Sequence, residues 1–273
     1  MQQKEGFMNE EILKKIKQLP PLPESVIEIE KVYNDPESTF NDMAKVLEKD
    51  PLLTADILKA ANSPLYGFSR EINAISQAVG LFGMGTVRGF VLSSVVKKSF
   101  ILDLSPYGIT NELFSELSKK QHALTTNWCK RKENRYLGVL SPASFLVEIG
   151  KVLIAQQIIA DNKTEEFRNR LQELQDVEAV ERELVGADTP EVSATIFQEW
   201  QFEDTLVDII KNCQNPHLAQ EENQRPASIL HVVRVAIPMD TKITDSSIKA
   251  AKELIEKYAL DMESFETAMQ HIK

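Results

Sequence analysis

Cysteine is scarce in this sequence, and its two cysteines stand far apart. Cys129 and Cys213 form no Cys-x-x-Cys pair. A chain of 273 residues can bury a large hydrophobic core, so its stability does not depend on a disulfide. The N-terminal stretch MQQKEGFMNEEILKKIKQLP also lacks the apolar run of a secretory signal peptide. We therefore expect reduced thiols and a cytoplasmic protein.

An excess of positive charge is missing as well. The net charge is −10, whereas proteins that grip phosphate backbones are usually basic on at least one face. The one dense basic cluster consists of Lys130, Arg131, Lys132 and Arg135. This cluster is either a solvated helix end or a phosphate-binding patch, and the overall charge favours the helix end. We expect no nucleic acid among the partners.

Glycine and proline are sparse, with 10 and 12 residues, and no stretch shows sustained period-two alternation. The sequence therefore predicts an all-α, multi-helical protein with almost no sheet. Prolines mark helix boundaries at LPPLP, residues 19–23, and at Asp50-Pro51, where the aspartate caps a helix and the proline opens it.

Helix breakers also indicate how the chain is divided. Pro106 and Gly108 predict a joint within residues 102–110. We expect an N-terminal helical lobe over residues 1–105, packed on a second helical lobe over residues 106–240. Residues 241–273 are expected to form a C-terminal helical extension.

A long apolar stretch covers residues 137–160. It includes Glu148, Lys151 and two glutamines, which is typical of a buried amphipathic helix rather than a membrane span. We expect its helix to start at Ser141-Pro142, and we expect no membrane partner.

Common catalytic motifs are missing from the sequence. It contains no HExxH, no GxSxG and no phosphate-binding loop. The stretch GLFGMG, residues 80–85, holds three glycines but lacks the following Lys-Ser/Thr. A tight turn between two helices is a better interpretation of it than a nucleotide cradle.

Four signals in the first hundred residues occur in a specific order and spacing. They are LPPLP, Asp50-Pro51, ANSPLYG over residues 61–67 and AVGLFGMGTVRGFVLS over residues 78–93. In this combination they resemble the first half of HDOD, the HD-related output domain of bacterial signalling proteins. The resemblance covers roughly residues 12–240. It implies that the second lobe is a degenerate relative of the HD phosphohydrolases, whose histidines and aspartates hold a divalent metal.

The resemblance also suggests where the ligands of such a metal would have stood. SFLVEIGK, residues 144–151, matches the HD pattern GLLHDIGK, so Val147 replaces the histidine and Glu148 the aspartate. His122 matches the earlier histidine, and Arg234 matches the later aspartate. A guanidinium at that position is expected to pair with Glu148. At further positions where relatives often carry histidine, this chain has Thr189, and Asn212 or Cys213, with His217 displaced.

Several roles stay open at these positions. Glu148 is interpreted as a structural ion pair, with a solvated position or a metal ligand as alternatives. His122 is either a hydrogen-bonded core residue or a ligand. Likewise, ANSPLYG is either a close-packed helix end or a binding groove lined by Asn62, Ser63, Tyr66 and Gly67.

These considerations predict a protein without catalytic residues, bound metal or cofactor. It is expected to act as a signalling output or adaptor module that binds other signalling proteins or a small molecule. The alternative is a residual metal-dependent phosphohydrolase that uses His122 and Glu148.

Overall fold

The computed structural model describes residues 8–68, 71–98, 100 and 102–272. Throughout these residues the chain forms helices joined by short turns, and no strand occurs in them, which confirms the all-α prediction. The helices are α1 (Glu10–Lys17), α2 (Glu24–Asn34), α3 (Phe40–Glu48), α4 (Pro51–Ala61), α5 (Ile75–Lys98), α6 (Asn111–Cys129), α7 (Leu137–Leu146), α8 (Gly150–Ala160), α9 (Thr164–Leu174), α10 (Val177–Val185), α11 (Thr189–Glu199), α12 (Asp204–Lys211), α13 (Glu221–Ala236), α14 (Asp245–Lys257) and α15 (Met262–Met269).

The first boundaries follow the predicted proline and cap signals. LPPLP separates α1 from α2, because a proline cannot donate the backbone hydrogen bonds that would continue a helix. At the start of α4, Oδ1 of Asp50 accepts hydrogen bonds from the N–H groups of Leu52 and Leu53, and Pro51 is the first helical residue.

Helix α5 contains a sharp break at Gly83, where φ is 77° and ψ is 159°. A positive φ is readily adopted by glycine, which has no Cβ to clash with the backbone. The segments on either side are the two helices expected around GLFGMG. Beyond the break, α5 lies very close to α7, since a Cβ on Gly85 would meet Cα of Gly138 at 2.6 Å.

The stretch over residues 137–160 is helical, but its bounds differ from the prediction. Helix α7 begins at Leu137 rather than at Ser141-Pro142, and Pro142 lies inside it. Proline removes one backbone hydrogen bond there, but residues 140–146 are all buried, and this packing outweighs the loss. The stretch is also divided, because α7 ends at Leu146 and α8 begins at Gly150.

Contacts between helices extend across the predicted lobe boundaries. Helix α5 packs on α7, whereas α1 packs on α8 and α11, where Nζ of Lys15 donates to Oε1 of Gln157 at 2.6 Å. The C-terminal helices α14 and α15 pack on α13 and α6. Nε1 of Trp128 in α6 donates a hydrogen bond of 2.8 Å to the carbonyl of Asp261, just before α15. The division at residues 105 and 240 stays a prediction.

Two helical stretches, Ile75–Val95 and Asn134–Ala160, have the length and composition that could span a membrane. In the folded chain 56% of the first and 83% of the second are buried inside the protein. A core helix of a globular domain has the same properties, and the second stretch lies in the core as predicted.

Candidate functional site

The stretch SFLVEIGK contains the turn between α7 and α8, and contacts from α11 fix the position of this turn. Ser193 of α11 accepts a hydrogen bond from the N–H of Gly150 at 2.8 Å and donates one to the carbonyl of Val147 at 2.7 Å. A Cβ on Gly150 would meet the carbonyl oxygen of Thr189 at 2.5 Å. The glycine is therefore required for this close approach, which fixes the position of Glu148.

Glu148 is buried and lies between two cations. Its Oε1 accepts a hydrogen bond of 2.7 Å from Nε of Arg234, which confirms the predicted pair. Its Oε2 lies 3.3 Å from Nζ of Lys151 and accepts no hydrogen bond from the part of the chain that the structure describes. Val147, beside it, is completely buried in the core.

Both cations also contact further acids. Arg234 donates from a terminal nitrogen to Oε1 of Glu178 at 2.7 Å, and another of its terminal nitrogens lies 3.8 Å from the sulfur of Cys213. Lys151 donates to Oε1 of Glu181 at 3.2 Å and to Oγ1 of Thr189 at 3.1 Å. We call Glu148, Lys151, Glu178, Glu181 and Arg234 the ion-pair cluster.

Two of the positions where relatives often carry histidine meet at this cluster. Thr189 contacts Lys151 and Glu181, and Cys213 contacts Arg234. Asn212 instead donates to Asp208, within its own helical turn. The structure therefore brings together four of the positions that the HD comparison singled out: Glu148, Thr189, Cys213 and Arg234.

Electrostatics favours the charged forms of Glu148, Glu178 and Lys151 in the ion-pair cluster, whereas burial raises the pKa of Glu181. Burial opposes ionisation of Glu148, but Arg234 and Lys151 outweigh it and lower the pKa of Glu148. Burial opposes ionisation of Glu178 as well, but the same two cations lower its pKa to about 2. Burial also works against the ammonium of Lys151, yet Glu181 and Glu148 raise its pKa. Glu148, Glu178, Lys151 and Arg234 thus neutralise one another as ions at neutral pH.

Lys151, Glu178 and Glu181 were not predicted as site residues. Glu181 receives hydrogen bonds from the Tyr107 hydroxyl at 2.7 Å and from both the N–H and the hydroxyl of Thr189. One signal for it was present in the sequence, because Glu181 shares a face of α10 with the apolar residues Val177 and Val185. A charged residue on an apolar helix face needs a buried partner.

His122 lies in a different network. Its Nδ1 is 2.6 Å from the hydroxyl of Tyr66, and its Nε2 is 2.8 Å from Oγ of Ser141. The imidazole also stacks on Phe145, with 3.8 Å between ring centroids. Ser141 precedes Glu148 in sequence by about two helical turns, which corresponds to about 10 Å in the direction of the α7 axis. His122 and Glu148 thus lie in separate clusters.

The four candidate groove residues have structural contacts. Asn62 exchanges hydrogen bonds with the backbone of Ile72 at 2.8 Å, and Ser63 accepts one from Leu65. Tyr66 is buried among aromatic rings, and Gly67 has a φ of 67°. These contacts are typical of a close-packed helix end. The groove at this place stays a prediction.

A cavity of about 420 Å³ lies beside the ion-pair cluster. Glu148, Lys151, Glu178 and Arg234 line it, together with His231. Nδ1 of His231 is 3.1 Å from the Tyr258 hydroxyl. Burial, and then the charge of Arg234, lower the pKa of His231 to about 4, so its imidazole is neutral at neutral pH.

The side chains around Glu148 do not suit a divalent metal. Val147 offers no lone pair, and Glu148 is already bound to two cationic groups. Among the described residues, no group of three or more His, Cys, Asp or Glu side chains has the arrangement of a metal site. Metal affinity depends on the number and geometry of such ligands.

Crystal structures of several proteins resemble this fold over almost its whole length. A virulence factor from Campylobacter jejuni subsp. jejuni is 28% identical, with a TM-score of 0.60, 96% of this chain and 94% of that chain being covered. A proposed phosphohydrolase from Shewanella amazonensis SB2B is 24% identical, with a TM-score of 0.74 and the same coverage. A proposed signal transduction protein from Marinobacter aquaeolei VT8 is 20% identical, with a TM-score of 0.70; all of this chain and 59% of that chain are covered.

Sequence comparison identifies the family. An uncharacterised protein of Treponema pallidum (strain Nichols) is 28% identical over 82 residues, which are 30% of this chain and 16% of that protein. The family model of the HDOD domain matches residues 19–216, which is most of the chain. This match includes LPPLP, the ion-pair residues of α8 and α10, and Cys213. The chain therefore belongs to the HDOD family.

Proposed function

We propose that this chain is a non-catalytic signalling module that acts in the cytoplasm by binding other proteins. The observation that carries the proposal is the position of Glu148 between Arg234 and Lys151. In a metal-dependent HD enzyme the corresponding carboxylate holds a divalent cation. Here two protein cations take that place.

The argument against a metal at this position is electrostatic. A divalent ion about 4 Å from a single positive charge meets a repulsion of about 8 kcal/mol at an effective dielectric constant near 20. Glu148 has such a charge on each oxygen, at 2.7 Å from Arg234 and 3.3 Å from Lys151. Without a metal the site lacks the usual means of lowering the pKa of an attacking water.

A signalling role is supported by the family itself. Among proteins of this fold, one is described as a proposed signal transduction protein. We infer that the folded module is read by other signalling proteins, and the cavity beside the ion-pair cluster offers space for a small-molecule ligand.

A residual metal-dependent phosphohydrolase is the second candidate. Two observations favour it: one protein of this fold is described as a proposed phosphohydrolase, and Oε2 of Glu148 accepts no hydrogen bond from the described residues. In this alternative a metal would have to displace Lys151 or Arg234 from Glu148.

The two candidates are separated by metal analysis and an activity screen on the purified full chain. We expect less than stoichiometric Mn²⁺, Fe²⁺, Zn²⁺ or Mg²⁺ after dialysis, and no turnover of phosphomonoesters or cyclic nucleotides above buffer. Stoichiometric metal together with turnover that Glu148→Ala abolishes would overturn the proposal. The same measurements on Leu218→Ala, which alters an exposed residue away from the cluster, control for contaminating enzymes.

A further inference from the structure

A second cavity has a volume of about 720 Å³. It is lined by residues within 19–34 and 199–203, none of which belongs to the ion-pair cluster. One wall consists of the LPPLP segment and α2, with Leu22 and Ile27, and the other of the turn between α11 and α12, with Trp200 and Phe202. We call it the α2–α12 groove. It lies where the predicted N-terminal lobe meets the second lobe.

The walls of the α2–α12 groove are held in place by direct contacts. Nε1 of Trp200 donates to the carbonyl of Pro20 at 3.1 Å, which ties the proline-rich segment to α11. Trp200 also packs edge-on against Phe197 and Phe100. Because prolines restrict the backbone of the segment further, the groove is preformed and a ligand would bind at little ordering cost.

Apolar side chains in the groove remain accessible to a ligand. Ile27 is 44% exposed although it belongs to a helix that buries Val26 and Ile29. Trp200 is half-buried. An aromatic ring and an aliphatic side chain that share a concave surface form the usual anchor for a bulky apolar group.

The charge at the groove has one sign. Its lining includes Glu30, Glu199 and Glu203, and no Lys, Arg or His among the residues that the structure describes there. Beneath it, the buried Arg88 of α5 donates two hydrogen bonds to Glu30 and two to Glu203, at 2.6–2.8 Å. Arg88 thus binds two of the three carboxylates, and the third, Glu199, has no ion-pair partner in the described chain.

We propose that the α2–α12 groove binds a segment of a partner protein that presents a bulky apolar side chain next to a lysine or arginine. The apolar side chain would lie between Ile27 and Trp200, and the basic group would meet Glu199 at the rim. This inference rests on the proposed signalling function and specifies its partner. A second copy of this chain is disfavoured as the occupant, because each copy has a net charge of −10.

The first test is selection of a displayed random-peptide library on the full-length protein. Ile27→Asp places a charge in the groove and Glu199→Lys reverses the charge at the rim; both positions are exposed enough for the variants to fold. Leu218→Asp is the matched control, because Leu218 is 65% exposed and does not line the groove. We expect enriched peptides to share an apolar residue beside Lys or Arg.

Binding of one enriched peptide is then measured by tryptophan fluorescence. The chain has two tryptophans, and Trp128 is only 1% exposed, so a saturable change in emission reports on Trp200 and is lost in Trp200→Phe. We expect Ile27→Asp to weaken binding about tenfold or more and Glu199→Lys about threefold, the second effect being reduced by salt. Leu218→Asp should bind like the wild type.

Three outcomes would overturn the proposal: no enrichment over the naive library, enrichment of peptides without a basic residue, or equal binding by wild type and Ile27→Asp. These outcomes do not depend on the metal and activity measurements. A protein without metal and turnover that also binds no such peptide would contradict the groove while leaving the non-catalytic function intact.

Discussion

Arg234 and Glu148 form a buried ion pair in which Nε of the arginine donates to Oε1 of the glutamate at 2.7 Å. The two residues are 86 positions apart, on α13 and in the turn between α7 and α8. Arg234 also binds Glu178, so that one guanidinium connects α13, α10 and the turn between α7 and α8. A buried arginine with two acceptors therefore ties these elements together.

Removing this arginine should destabilise the fold strongly. Arg234→Gln leaves Glu148 and Glu178 buried without their main counter-charge, and the loss should be about 3–5 kcal/mol in the free energy of unfolding at pH 7. Because the pKa values of the stranded acids rise, part of the loss should be recovered toward pH 5. Urea denaturation at both pH values tests this expectation. Arg170→Gln removes the surface ion pairs with Glu173 and Glu183 and should cost much less than Arg234→Gln; equal losses would contradict the prediction.

Stability should fall in acid partly through Glu178. Its pKa is lowered to about 2 in the folded chain from 4.5, so its contribution is complete above pH 4.5 and is lost as the pH falls through 2. The shift corresponds to roughly 3 kcal/mol at neutral pH. Glu178→Gln should therefore be less stable at pH 7 and should lose less stability between pH 5 and 2 than the wild type. Denaturation curves with the same acid slope for both proteins would disprove this role.

His231 should produce a separate pH dependence at higher pH. Its folded pKa is about 4 and its ordinary value is 6.5, so the unfolded chain binds a proton first as the pH falls. Stability from this group is present above pH 6.5 and is lost progressively toward pH 4. His231→Gln should flatten the stability curve in that window without changing it above pH 7. His271→Gln, at a histidine outside the cavity, is the comparison, and an identical flattening there would refute the assignment.

Two glycines should respond in opposite ways to substitution by alanine. Gly150→Ala forces a Cβ to within 2.5 Å of the carbonyl of Thr189 and should cost about 1–3 kcal/mol. Gly80, on an exposed part of α5, has open space within 4 Å of the place where a Cβ would stand, so Gly80→Ala should stabilise by about 0.5–1 kcal/mol. Thermal denaturation of both variants decides the question. A neutral Gly150→Ala would show that α8 and α11 separate easily.

The helix pattern was largely predictable because its signals are local. Asp50-Pro51, LPPLP and the glycines around Gly83 act through the backbone of their own segments, and each has the predicted effect. The start of α7 was not predicted correctly. A proline usually opens a helix, but burial of the surrounding residues keeps Pro142 inside one.

The candidate site was only partly predictable. Matching Glu148 in SFLVEIGK and Arg234 to two aspartates of the HD pattern was enough to predict their pairing. The roles of Lys151, Glu178 and Glu181 depend on how α8, α10 and α13 meet, and no local pattern describes that meeting. The separation of His122 from Glu148 likewise follows from where α6 packs along α7, at Ser141, two helical turns before Glu148.

By itself, the sequence determined the helices and the family, and it predicted that Val147 and Arg234 replace metal ligands. Periodicity, prolines and caps act over a few residues, and a missing lone pair is a property of a single side chain. Only the tertiary structure decided which charges neutralise Glu148, that α1 packs on α8 and α11, and that Ile27 and Trp200 face one groove. Those relationships join residues up to 180 positions apart, as Pro20 and Trp200 are, and they arise because burying apolar faces brings distant helices into contact.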